Sequence, residues 1–185
     1  KNIKVIIISR DGNYSEDFKV NFDILKKLIN EDKISYIKCA DDVKQEFVDD
    51  LINYDVIIDG IFGVGLNRKL DFWIQDIINK INSYGRLIIS LDVPSGLDCN
   101  SGIALDTAVK ADITYTFEVI KRGFLNYNAF RYVGKTKIIK IGIPNNAKVN
   151  NSDNVYILEE EKYKKLIPSR ELYGHKGDYG RALIV

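Results

Sequence analysis

The chain has 185 residues, 45% of them hydrophobic and 29% charged, which is the balance of an ordinary globular protein with one substantial core. Its 27 basic and 26 acidic residues leave a net charge of +1, so neither nucleic acid nor an anionic membrane is expected as a partner. Cys39 and Cys99 lie far apart and outside any C-x-x-C, which fits a reducing cytoplasm better than a disulfide framework or a thiolate metal site. Both cysteines read as small buried or half-buried fillers.

In chain order, apolar runs alternate with stretches of helical period, the mark of β-α-β units around a mostly parallel sheet. "IKVIIIS" (3–9) predicts a strand, and "SEDFKVNFDILKKLIN" (15–30) an amphipathic helix capped by Ser15 or Asp17, with Phe18, Phe22, Leu25 and Ile29 on one face. "SYIKCA" (35–40) is a second strand, "DDVKQEFVDDLIN" (41–53) a helix, and "DVIIDGIFG" (55–63) a strand buried on both faces. The helix "DFWIQDIINKINS" (71–83) and the strand "RLIISLD" (86–92) repeat the unit. "DITYTFE", "KTKIIKIG" and "NVYIL" are later strands, rich in β-branched and aromatic residues. An α/β, Rossmann-like three-layer sandwich with a mostly parallel central sheet follows.

An Asn-rich stretch, "IGIPNNAKVNNSDN", reads as a linker, and a short helix behind it stops at Pro168. The tail then turns glycine-rich and closes on "RALIV", a fresh strand-like run. With no methionine anywhere, the sequence reads as a fragment cut at both ends. No apolar run reaches membrane-spanning length, and the opening "KNIKVIIISRDG" is too short for a signal peptide. A cytoplasmic location is the expectation.

Ligands of open parallel sheets bind beyond the carboxyl ends of the strands. Asp59 ends one apolar run and Asp92 another, and Lys121 lies four residues beyond Phe117 at the end of a third. If the first two strands are neighbours, two carboxylates meet at one edge, and like charges that close need a cation or a proton. Asp59 with the Ser95 hydroxyl suits a hard cation, since no His or Cys cluster suggests zinc, although Asp59 as a simple cap is an equal alternative. Around Ser95, "LDVPSGLDCNSG" (91–102) has turn chemistry too specific for a bland strand end: Pro94 fixes the backbone and Gly96 permits a positive φ. The loop "GVGLNRK", made of Gly63, Val64, Gly65, Leu66, Asn67, Arg68 and Lys69, runs from strand to helix. Its glycines let backbone N–H groups approach a phosphate, and its cations can pair with one; the bland alternative is a tight turn with two solvated cations. His175 is the one histidine and sits far from Ser95 in sequence, which argues against a serine hydrolase. Tyr115, Phe117, Phe124 and Tyr127 are expected to pack core.

"DGIFGVGLNR", "LDVPSGLDCNSG", "AVKADITYTFEVIKRG" and "KIIKIGIP", in this order and spacing, resemble the NAD(P)HX epimerase family, also called YjeF N-terminal domains. The resemblance runs from the first strand to Pro144. It implies that Asp92 contacts a hydrated nicotinamide nucleotide, that Asp59 and Ser95 ligate one potassium ion, and that Gly63 to Lys69 line the substrate. The implied reaction interconverts the R and S hydrates of NADH and NADPH (NADHX and NADPHX), with Asp92 and Lys121 as catalytic candidates. The implied organisation is an epimerase domain over 1–148 without its N-terminal part, a linker and short helix over 149–168, and the start of a ribokinase-like dehydratase domain over 169–185. That second domain would use ADP or ATP, which this fragment would not bind, and a homo-oligomer is expected.

The family's G-N-N-G-G-D loop, which supplies half of the substrate site and a further potassium ligand, would precede Lys1. Val64 replaces a commoner threonine or phenylalanine, and Asp106 stands where glycine is expected. A noncatalytic Rossmann-like binding or dimerisation module is the alternative function; retention of both Asp92 and Lys121 argues against it. An ordinary nicotinamide-dependent oxidoreductase is weakened by Arg68, which occupies the place of the third fingerprint glycine.

Overall fold

The computed structural model describes residues 3–144, 146–147, 164–166, 172–175, 177–179 and 181. The chain divides into two units, Lys1–Gly142 and Ile143–Val185. In the first, strands β1 (Val5–Ile8), β2 (Ile34–Ile37), β3 (Val56–Asp59) and β4 (Leu87–Leu91) alternate with helices α1 (Glu16–Leu28), α2 (Gln45–Asn53) and α3 (Phe72–Tyr84). β5 (Ile113–Phe117) and β6 (Lys135–Ile139) follow, with the one-turn helix α4 (Phe130–Val133) between them. Every pairing between these strands is parallel, as the alternation requires. The strands form two groups, β1–β2 and β3–β4–β5–β6, where a single central sheet was expected.

Local chemistry sets the element ends. Ser15 caps α1, its hydroxyl accepting the Phe18 N–H at 3.2 Å. α2 starts four residues later than its periodicity suggests, because Asp42 folds back to accept the Lys38 N–H at 2.8 Å and the Cys39 N–H at 3.3 Å. Those bonds hold residues 40–42 in a tighter 3₁₀ turn. β3 ends at Asp59, short of the expected Gly63, because the Phe62 N–H bonds to Ser95 Oγ at 2.9 Å and draws the chain off the sheet.

The main core lies between α2, α3 and the sheet, around Phe47, Leu51, Ile77, Ile78 and Ile88. A second cluster, Val93, Leu97, Phe124, Tyr132 and Val133, supports the turns after β4 and β5. Phe124 thus packs core as expected, Tyr115 and Phe117 are half-buried, and Tyr127 is exposed, as is Cys39. The expected strand "NVYIL" and all of the tail strand "RALIV" but Arg181 lie outside the described residues, as does most of the helix before Pro168. In the second unit, His175 and Asp178 close a turn through a 2.7 Å bond from the His175 N–H to Asp178 Oδ2.

Candidate active site

Asp59 sits at the last position of β3, opposite Ser90 of β4, and is 1% exposed. Its Oδ1 accepts from the Ser95 hydroxyl and from the Ile61 N–H at 3.3 Å; its Oδ2 accepts from the Ser90 hydroxyl at 2.7 Å and the Ser95 N–H at 2.9 Å. Burial raises its pKa, and the four donors act in the opposite direction. Ser95, also 1% exposed, is therefore tied to Asp59 through two atoms while its hydroxyl receives the Phe62 N–H. One buried carboxylate thus joins the ends of β3 and β4 to the turn that follows each of them.

The pair suits a hard cation by its chemistry. Both residues offer oxygen, and among the described residues no lysine or arginine bonds to Asp59, so its carboxyl group lies buried without a positive partner. A serine hydroxyl can rotate its hydrogen away and present a lone pair to an ion. The described residues contain no cluster of three or more His, Cys, Asp or Glu side chains.

Asp92 is held differently. It adopts φ 64, a left-handed conformation that few side chains tolerate, and its own N–H bonds to the Tyr115 carbonyl at 2.8 Å. The Val93 N–H turns back to the Leu91 carbonyl at 2.8 Å, making a three-residue turn that lifts Asp92 off the end of β4. Its Oδ1 accepts the Phe117 N–H at 3.1 Å and pairs with Lys121 Nζ at 2.8 Å, with only 16% and 14% of the two side chains exposed. Lys121 Nζ also donates to the Phe117 carbonyl at 3.0 Å. The tertiary structure therefore unites Asp92 with Phe117 and Lys121, which lie 25 and 29 positions further along the chain. A residue in a left-handed conformation in contact with a half-buried lysine is an arrangement that recurs at functional sites.

The loop 63–69 passes this pair. A side chain added at Gly63 would come within 3.9 Å of Asp92 Oδ2, whereas Val64, Gly65, Asn67, Arg68 and Lys69 are exposed and Leu66 is half-buried. Cys99 Sγ contacts the Val64 carbonyl at 3.7 Å and ties this loop to the one after β4.

Two supporting residues, Ser90 and Glu118, escaped the sequence reading, and a third, Asp106, stood out there only as a departure from glycine. Ser90, fully buried, is an interior strand residue whose hydroxyl had no visible purpose before Asp59 came opposite it. Glu118 repeats the Asp92 device one strand later: it has φ 63, and its carboxylate accepts the Ile141 N–H at 2.7 Å. Asp106 has φ 74, which is why glycine is natural there, and its carboxylate accepts the Leu70 N–H at 3.3 Å at the end of the 63–69 loop. Two acidic residues ending consecutive strands before a polar turn were the available signal for Glu118.

Residues 1–123 match the family described as YjeF-related protein N-terminus. The chain belongs to this family. Relatives agree: the bifunctional NAD(P)H-hydrate repair enzyme Nnr of Dictyoglomus turgidum is 34% identical over 175 residues, covering 92% of this chain and 32% of that protein. The NAD(P)H-hydrate epimerase of Anaerococcus prevotii is 35% identical over 147 residues, or 80% of this chain and 65% of that protein. The crystal structure of the yeast protein YNL200c has the same fold, with a TM-score of 0.56 at 15% identity over 86% of this chain and 76% of that one. The YjeF-type chain thus spans about a third of the bifunctional relatives it matches. No described helix is long and apolar enough to cross a membrane.

Proposed function

We propose that this chain is the epimerase part of a nicotinamide-nucleotide repair enzyme and interconverts the R and S hydrates of NADH and NADPH. The observation that carries the reading is the Asp92–Lys121 pair, 2.8 Å apart and largely buried at the carboxyl ends of neighbouring parallel strands. Inversion at C6 of the hydrated ring needs the hydroxyl to leave as water and a water to return on the other face. No electrons are transferred overall. Lys121 carries a proton that its bonds to Asp92 and Phe117 orient, and it supplies that proton to the departing oxygen. Asp92 faces the cationic ring left behind and stabilises its charge. Water adding to the opposite face then gives up a proton and restores the starting protonation.

Gly63 to Lys69 line the nucleotide, and the family names of the relatives support NADHX and NADPHX as substrates. Asp59 and Ser95 are the residues that would hold one potassium ion, which when bound supplies positive charge to a buried carboxylate and fixes the turn carrying Ser95. We further assign residues 1–148 to the epimerase domain, 149–168 to a linker and 169–185 to the beginning of an ADP- or ATP-dependent dehydratase. A cytoplasmic homo-oligomer is the expected assembly.

The test is conversion of purified S hydrate to the R form, above the spontaneous rate, by full-length protein. Asp92→Asn should lower the rate by roughly a hundredfold or more while leaving the fold intact. Lys121→Met should also slow it and should alter its pH profile, because the proton carrier is lost. Wild-type turnover by Asp92→Asn would overturn the assignment.

A further inference from the structure

The main chain of Phe117 is the hub of the candidate site: its N–H donates to Asp92 Oδ1 at 3.1 Å, and its carbonyl accepts Lys121 Nζ at 3.0 Å. Both contacts depend on how the end of β5 is held. Phe117 lies opposite Ile139 of β6, and the next residue, Glu118, sends its N–H to the Ile139 carbonyl at 2.8 Å. The Glu118 side chain adds a second tie on the same side, its Oε2 accepting the N–H of Ile141, just past β6, at 2.7 Å. Glu118 is 4% exposed, so this bond is shielded from competing water. Behind it the Val119 N–H folds back to the Phe117 carbonyl at 2.7 Å, and that one oxygen therefore accepts from both the turn and the Lys121 ammonium.

We propose that Glu118 is a positioning residue for the epimerisation: its carboxylate ties the end of β5 to the chain beyond β6, fixes the turn from Phe117 to Lys121, and so holds the Lys121 ammonium within reach of the departing hydroxyl. Glu118 has φ 63, a conformation that glycine takes freely and a side chain resists. A turn alone would be better served by glycine, so the glutamate has a task for its side chain, and the bond to Ile141 supplies it. Lys140 Nζ donates to the Glu118 carbonyl at 3.3 Å and lies 3.7 Å from Oε1, reinforcing the same tie from a side chain that is 70% exposed. Water screens that ion pair, which leaves the buried N–H bond as the stronger hold. The placement matters because Val119 to Lys121 belong to no helix or strand of their own. Their course is set where the turn begins, at Glu118, and where the 3₁₀ turn Arg122–Leu125 takes over.

Glu118 acts through Lys121 and not on the substrate. Its carboxylate bonds on the β6 side of β5, whereas Asp92 follows β4 on the other side. This role rests on Lys121 as the proton carrier of the proposed reaction. A carrier that works as the hydroxyl departs matters to the transition state more than to binding, so a misplaced ammonium lowers kcat and leaves KM nearly unchanged. Two substitutions separate the side chain from the turn. Glu118→Gly keeps the left-handed backbone without strain and removes the tie. Glu118→Gln keeps a side-chain oxygen that can accept the Ile141 N–H.

The experiment is steady-state conversion of the purified S hydrate of NADH by full-length protein, with each Glu118 substitution made alone and together with Lys121→Met. Alone, Glu118→Gly should lower kcat roughly tenfold or more and change KM by less than about twofold. Glu118→Gln should restore kcat to within about threefold of the unsubstituted protein. With Lys121→Met already in place, Glu118→Gly should bring a further loss of no more than about twofold, because the group it positions is gone. Equal fold-losses in both backgrounds would make the carboxylate a general brace of the sheet and overturn the proposal. So would an unchanged kcat in Glu118→Gly, a kcat in Glu118→Gln as low as in Glu118→Gly, or loss of the folded circular dichroism spectrum in Glu118→Gly. Unchanged turnover by Lys121→Met alone would instead overturn the reading of Lys121, and the role of Glu118 with it, so the two failures differ in which single substitution is silent.

Discussion

The two halves of the first unit use the same β-α-β grammar and reach different degrees of closure. Around β3, β4 and β5, interior residues are fully enclosed: Ile77 and Ile78 are 0% exposed, and no buried side-chain polar atom among the described residues lacks a partner. Around β1 and β2, none of the residues of α1 is buried, although Tyr14, Phe18 and Phe22 stack in sequence along it. Val20 at 60% and Leu28 at 74% exposure present apolar surface on this side. The difference teaches that an amphipathic pattern specifies which face wants burial, while burial itself depends on a partner being there.

Substitutions can test that contrast. Ile77→Ala, which removes three carbons from the enclosed half, should cost about 3–4 kcal/mol in urea unfolding of this chain; a loss under about 1 kcal/mol would show that the half is not close-packed. Gly96→Ala should cost about 2–3 kcal/mol, because Gly96 has φ 92 and an added Cβ would overlap the Thr107 carbonyl oxygen. Circular dichroism should still report an α/β protein, with a lower Tm.

A smaller effect concerns the charge within the enclosed half. Burial raises Asp59 above its ordinary value of 3.8, so its protonated form favours folding. That contribution is fully present below 3.8 and is lost as pH rises through the raised value. An ion that binds the carboxylate acts in the opposite sense. Potassium chloride should therefore raise the Tm relative to choline chloride at mildly alkaline pH, and the increment should vanish as pH falls through the raised value. An increment that persists in Asp59→Asn would move the ion elsewhere. The smallest change belongs to the open half: Val20→Ala should alter unfolding by no more than about 0.5 kcal/mol, since an exposed side chain is lost and a better helix former gained. A loss of several times that size would mean that α1 is covered in solution.

Much of this architecture was legible in the sequence because it rests on local rules. Periodicity located all three long helices and the strands through β6, and Ser15 announced the start of α1. Asp59 and Asp92 stood out because each abruptly ends an apolar run, Ser95 through the turn chemistry around it, and Lys121 through its place four residues beyond Phe117. What adjacent strands do to one another was not legible. That Asp92 takes φ 64 so that its carboxylate meets both the Phe117 N–H and Lys121, or that Ser90 exists to serve Asp59, depends on which strands are neighbours and in what register. Those contacts bridge 25 to 31 positions of chain. Secondary structure follows from backbone preferences and side-chain periods that a few residues carry by themselves. A carboxylate–ammonium pair exists only after distant segments have been brought together, because desolvation and hydrogen-bond geometry are properties of the assembled surroundings.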